Sequence, residues 1–138
     1  MPTPVVERSR SHRLAGPALV GAAGAATVAL LHVRDPHEPG SYGFCPFLEL
    51  TGRPCAGCGG LRAVNLLTHG DVAGAVSSNV LVLALGALLA ATWVVWVLRR
   101  WRDEPTRAVS DRTLLVLLVV VLAFGVVRNT PWGAGLAP

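Results

Sequence analysis

Residues 80–98 read VLVLALGALLAATWVVWVL, a run of nineteen residues without a charge. As a helix rising about 1.5 Å per residue, such a run nearly crosses the hydrocarbon core of a bilayer, which is about 30 Å thick. Trp and Arg anchor helices at the membrane–water interface. The run ends among residues of these two types, namely Trp93, Trp96, Arg99, Arg100, Trp101 and Arg102. This stretch therefore predicts a transmembrane helix.

Two further apolar runs indicate two more spans. Residues 14–33 contain His32 as their only strongly polar side chain. A signal peptide is the alternative for this run, but His32 and its neighbours do not form a small-residue cleavage site. Residues 114–127 lie between Arg112 and Arg128, whose long side chains can reach the interface. The chain is predicted to be an all-α membrane protein with spans at residues 14–33, 80–98 and 113–128.

The composition of the chain agrees with a membrane protein. Of its 138 residues, 52% are hydrophobic and only 14% are charged, whereas soluble domains carry about 25% charged residues. The net charge is +4, and all 12 basic residues are Arg. These Arg flank the apolar runs rather than forming a patch, so we expect the lipid bilayer as a partner and no nucleic acid.

The distribution of Arg predicts the orientation. Eight of the 12 Arg lie in the N-terminal tail and in the loop between the second and third spans. Because cytoplasmic segments are enriched in basic residues, residues 1–13 are predicted to form a cytoplasmic tail. Residues 14–132 then form one multi-pass domain in the cell membrane, and residues 133–138 form a tail outside. The loop between the first two spans is predicted to be extracytoplasmic.

That first loop carries all three cysteines. Residues 45–71 read CPFLELTGRPCAGCGGLRAVNLLTHGD, and the Gly and Pro around the two closely spaced cysteines indicate turns. The apolar spacing that follows predicts a short helix from Gly59 or Gly60 to His69 or Gly70. We therefore expect the Cys loop, residues 43–71, to form an interfacial or re-entrant helical hairpin between the first two spans.

The cysteines allow several kinds of chemistry. Cys45, Cys55 and Cys58, with His69 as a weaker fourth ligand, are candidate ligands for zinc or iron. A Cys55–Cys58 disulfide is the alternative in an oxidising compartment, and it leaves Cys45 unpaired. A thiol-redox pair is the third possibility. The start of the predicted helix and the nearby Arg62 are expected to lower the pKa of Cys58.

Signatures of enzymes are absent from the sequence. It has no Ser-His-Asp set, phosphate loop, HExxH or paired carboxylates. Gly59 rather than His follows Cys58, which argues against c-type haem. The chain is therefore interpreted as non-enzymatic, namely as a structural or accessory subunit with a Cys-stabilised outer loop. Its partner is another membrane protein or a second copy. The alternative is a thiol-redox or metal-binding membrane protein that uses the three cysteines.

The Cys–Gly motif, the Asn before the second span and the Arg-Asn-x-Pro ending resemble a bacterial membrane family called domain of unknown function 2752. The resemblance covers about residues 43–132 and implies a small integral membrane protein without implying an activity. Gly60 departs from the family pattern, in which a bulkier or hydroxyl residue is expected. Besides the cysteines, the matching positions taken as a structural motif are Pro46, Gly52, Pro54, Gly57, Gly59, Arg62, Gly70, Asp71, Asn79, Arg128, Asn129 and Pro131.

Several polar residues of the loop and spans have predicted local roles. Asp71 is expected to cap the helix that begins at Val72. Asn65 and Asn79 are expected to join helices or to cap the second span. The segment that follows Arg128 is predicted to pack against the turn around Cys55 and Cys58, called the Cys turn below, because both lie at the outer interface.

Overall fold

The computed structural model describes residues 10–34, 36, 42, 44–106 and 108–136. Over these residues the protein is helical and has no strand, which confirms the all-α class. Its elements are α1 (Arg10–Val33), α2 (Pro46–Thr51), α3 (Gly60–Thr68), α4 (Val72–Trp101), α5 (Asp111–Arg128) and a 3₁₀ helix (Pro131–Leu136). Parts of the predicted tails, Cys loop and basic loop lie outside the described residues, namely 1–9, 43, 107 and 137–138.

Two of the described helices are long and apolar enough to cross a membrane, α1 from His12 to Val33 and α4 over its full length. Their apolar side chains are mostly exposed; Leu19 is 72% and Leu89 is 69% exposed. Helices that build the core of a soluble protein bury such side chains. The shorter α5 is not one of these two helices, so the third span stays a prediction.

Helix α4 is interrupted at Asn79. The backbone there is extended, with φ −169° and ψ 92°. The Asn79 side chain restarts the helix, because its Oδ1 accepts a hydrogen bond from the Val82 amide at 3.0 Å. At the beginning of α4, Asp71 Oδ1 accepts from the Gly74 amide at 2.8 Å, which confirms the predicted cap. The predicted second span, residues 80–98, corresponds to the part of α4 that follows the break.

Helices α1 and α4 pack in antiparallel directions. The indole Nε1 of Trp93 donates to the Pro17 carbonyl at 2.9 Å, and Gly21 of α1 leaves room for the same indole ring. An ion pair between Arg13 and Asp103 joins the beginning of α1 to the end of α4. The basic loop and the beginning of α1 therefore lie at one end of the molecule.

The other end is built around α3, which packs against α4 and α1. Asn65 is buried, and its Nδ2 donates to the Leu31 carbonyl of α1 at 2.6 Å. A Cβ atom added at Gly60 would lie 2.8 Å from Cγ2 of Val82 in α4. The departure from the family pattern at Gly60 thus coincides with a close approach of two helices.

Candidate metal and thiol site

The sulfur atoms of the three cysteines meet in one cluster. Cys45 precedes α2, and Cys55 and Cys58 lie in the turn between α2 and α3. The three Sγ atoms lie within 4.8 Å of one another, with 3.6 Å between Cys45 and Cys55 and 3.2 Å between Cys55 and Cys58. All three are free thiols. Two thiolates on one tetrahedral zinc ion are about 3.8 Å apart, as follows from a Zn–S bond of about 2.3 Å.

Glycines with positive φ shape the turn that carries the cluster. Gly52 ends α2 at φ 67°, and its amide donates to the Leu48 carbonyl at 2.8 Å. Gly59 lies between Cys58 and α3 at φ 77°. Side chains with a Cβ rarely adopt this conformation, so these two motif positions favour glycine for backbone reasons. Pro46 is the first residue of α2, where its missing N–H costs no helical hydrogen bond.

Arg128, at the end of α5, contacts the backbone of the Cys turn. Its side chain is only 2% exposed. Nη1 donates to the Cys58 carbonyl at 2.7 Å and to the Cys55 carbonyl at 3.2 Å, and Nη2 donates to the Ser78 carbonyl at 3.1 Å. The guanidinium also lies 5.7 Å from the centre of the Phe124 ring. One buried cation thus joins α5, the Cys turn and the break in α4.

Two asparagines add further hydrogen bonds to the same turn. Nδ2 of Asn79 donates to the Ala56 carbonyl at 2.9 Å and to the Cys58 carbonyl at 3.0 Å. Nδ2 of Asn129 donates to the Pro54 carbonyl at 2.9 Å. These contacts confirm that the segment around Arg128 packs against the Cys turn. Asn79 therefore has two roles, since its Oδ1 also caps the part of α4 that follows the break.

Other residues of the predicted motif lie away from the sulfur atoms. His69 does not join the cysteines. It follows the last residue of α3, and its ring stacks on that of His32. Asp71 caps α4, and Gly70, with φ 85°, belongs to the turn before it. In the part of the chain that the structure describes, the group of at least three side chains that could hold one metal ion consists of the three cysteines.

The pKa values of Cys45 and Cys58 shift in opposite directions. A hydrogen bond from the Leu48 amide lowers the pKa of Cys45, and a contact with the Cys58 thiol lowers it further. Burial raises the pKa of Cys58 to about 12, and hydrogen bonds with the other two cysteines raise it as well. The expected lowering of the Cys58 pKa is therefore wrong. Desolvation of the thiolate outweighs the favourable effect of the helix start.

These pKa shifts predict an order of alkylation in the metal-free protein. Because the thiolate is the reactive form, Cys45 should react with iodoacetamide at a lower pH than an ordinary thiol of pKa about 8.5. Cys58 should stay largely unreacted up to about pH 10, since its thiol is still protonated there. Brief alkylation at increasing pH, followed by peptide mass spectrometry, measures this order. Earlier alkylation of Cys58 than of Cys45 would contradict it.

These features define a class of protein, a helical chain with two long apolar helices and a loop that carries three clustered cysteines. Residues 45–93 match the model of a family described as "Protein of unknown function (DUF2752)", which confirms the predicted resemblance to that family over this stretch. The matched stretch contains the cysteine cluster, α2, α3 and most of α4. No curated protein and no solved structure matches the chain.

Proposed function

We propose that this protein is a small multi-pass membrane protein whose cysteine cluster binds one transition-metal ion, zinc or iron, and that the ion closes the hairpin. The observation that carries the proposal is the approach of all three Sγ atoms to within 4.8 Å. An accessory-subunit role, the other interpretation of the sequence, is supported by no contact among the described residues and by no match. Metal binding is therefore the function that we put forward.

The charges around the cluster suit a divalent cation. Thiolates prefer zinc, iron and other soft or borderline ions. Three thiolates on a divalent ion carry a net charge of about −1, and the guanidinium of Arg128, which hydrogen-bonds to the Cys55 and Cys58 carbonyls, offers a compensating positive charge nearby. Three protein ligands leave the fourth position of a tetrahedral ion for water or an external donor.

The topology that we propose places α1, α4 and α5 across the membrane and the Cys hairpin at the extracytoplasmic interface. The antiparallel packing of α1 on α4 supports this, because it puts the Arg-rich loop and the cysteines at opposite ends. The apolar side chains of α2 are exposed, as in a segment that lies on a membrane surface: Phe47, Leu48 and Leu50.

Metal analysis tests the proposed function. Protein purified in detergent without reductant or chelator should contain about one zinc or iron ion per chain, the stoichiometry of a single site. Cys55→Ser should lose the ion, whereas the matched control Ser77→Ala, at an exposed hydroxyl of α4, should keep it. Absence of metal together with one free thiol would contradict metal binding. It would favour a Cys55–Cys58 disulfide, for which the 3.2 Å between these sulfur atoms is the supporting observation.

Thiol labelling in intact cells tests the topology. After mild reduction and chelation, an impermeant maleimide should label Cys45 from outside. A cysteine placed in the basic loop by Val109→Cys, at an exposed position, should be labelled only after lysis, and peptide mass spectrometry distinguishes the two sites. Labelling in the opposite order would reverse the proposed orientation.

A further inference from the structure

Two histidines form a stacked pair at the end of α3 far from the cysteines. The imidazole centres of His32 and His69 are 4.2 Å apart, and the ring planes differ by 17°. Both residues are exposed. The pair joins the last turn of α1 to the residue after α3. Helix α3, nine residues long, separates it from the Cys turn by about 13 Å at 1.5 Å per residue.

The hydrogen bonds of the pair determine which ring nitrogen carries the proton. His69 Nδ1 lies 2.9 Å from the Asn65 carbonyl, which can only accept, so this nitrogen donates. The Thr68 hydroxyl donates to the same carbonyl at 2.6 Å. It must therefore accept from His32 Nδ1, which lies 3.1 Å away. In the neutral rings both Nδ1 atoms are protonated, and both Nε2 atoms carry a lone pair.

The two lone-pair nitrogens are also oriented alike. Both Nδ1 atoms face the Thr68 hydroxyl, at 3.1 Å for His32 and 3.5 Å for His69. Each Nε2 consequently lies on the edge of its ring that is turned away from Thr68. Among the described residues no hydrogen bond uses either Nε2. A histidine that donates from Nδ1 to a backbone carbonyl and leaves Nε2 free is in the arrangement typical of metal ligands.

We propose that His32 and His69 form a second metal site, separate from the cysteines, that binds a divalent imidazole-preferring cation such as Ni²⁺, Cu²⁺ or Zn²⁺ through both Nε2 atoms. Imidazole suits these ions, and water fills the remaining positions. The ring of His32 must turn about its Cβ–Cγ bond, because the planes are nearly parallel. That torsion is broad, and both rings are exposed. The turned ring gives up its hydrogen bond with the Thr68 hydroxyl, while His69 keeps its bond to the Asn65 carbonyl. The bound ion joins α1 to α3 beside the hydrogen bond from Asn65 to the Leu31 carbonyl.

Calorimetric titration with Ni²⁺ tests this site. The full chain is used in detergent after one equivalent of zinc has been added for the cysteines and free zinc has been removed. One Ni²⁺ ion per chain should bind. His32→Ala and His69→Ala should each weaken binding more than tenfold, because each removes a ligand.

His12→Ala is the matched control, since His12 is an exposed histidine at the beginning of α1. It should leave the affinity unchanged. Absence of Ni²⁺ binding, or equal affinity in the wild type and His32→Ala, would overturn the proposal. Zinc content and circular dichroism of the same samples show whether each variant is folded. Because zinc at the cysteines is measured separately, failure of the cysteine site remains distinguishable from failure of the histidine site.

Discussion

Replacing Arg128 with methionine is expected to destabilise the protein by at least about 3 kcal/mol, the largest effect of any single substitution outside the cysteines. The buried guanidinium donates to the carbonyls of Cys55, Cys58 and Ser78. A hydrogen bond from a charged donor contributes about 1.5–3 kcal/mol, and a buried acceptor left without a donor adds a further penalty. Thermal or denaturant unfolding in detergent measures the loss, and the metal content of the variant should fall with it.

Two further substitutions make this result specific. Arg128→Lys keeps the charge, but one ammonium group cannot reproduce the planar fork that reaches three carbonyls, so an intermediate loss is expected. Arg112→Met removes an exposed arginine at the opposite end of the same helix and should change stability by less than about 0.5 kcal/mol. If Arg128→Met and Arg112→Met unfolded alike, the contacts of Arg128 with the turn would contribute nothing to stability.

Removing the metal should have a comparable effect. Binding of an ion to the folded state alone adds about 2.7 kcal/mol of stability when the free ion is at about one hundred times its dissociation constant. A chelator should therefore lower the unfolding midpoint of the purified protein, and added zinc should restore it.

The control for chelation is the Cys55→Ser variant, which lacks one ligand. Its unfolding midpoint should already lie near that of the chelated wild type and should not respond to chelator. An unchanged midpoint of the metal-loaded wild type after complete removal of the ion would mean that the ion does not stabilise the fold, and that hydrogen bonds alone hold the hairpin.

Features set by neighbouring residues could be predicted from the sequence. The bounds of α3 and the cap at Asp71 depend on apolar spacing, on glycines and on one short polar side chain, all within a few residues of one another. The approach of the segment after Arg128 to the Cys turn was predictable too. It follows from the prediction of two spans between them, which would return the chain to the same side.

Features that depend on several helices at once could not be predicted. The sequence indicates that Asn79 and Arg128 matter, but not that both donate to the same Cys58 carbonyl. The raised pKa of Cys58 depends on burial, which the spacing of the cysteines does not reveal. The spacing of residues along the chain made His69 a candidate fourth ligand. The nine-residue helix α3 instead separates His69 from Cys58, so that His69 lies at the other end of α3 and stacks on His32 of α1.

The break at Asn79 has a mechanical consequence. A continuous helix would transmit a tilt or rotation of its apolar part along its whole length. Here α4 can bend at Asn79. The side chain of Asn79 is hydrogen-bonded both to the part of α4 after the break and to the Ala56 and Cys58 carbonyls of the turn that carries two of the cysteines. Movement of α4 relative to α5 would be converted into a change of distance among the three thiols.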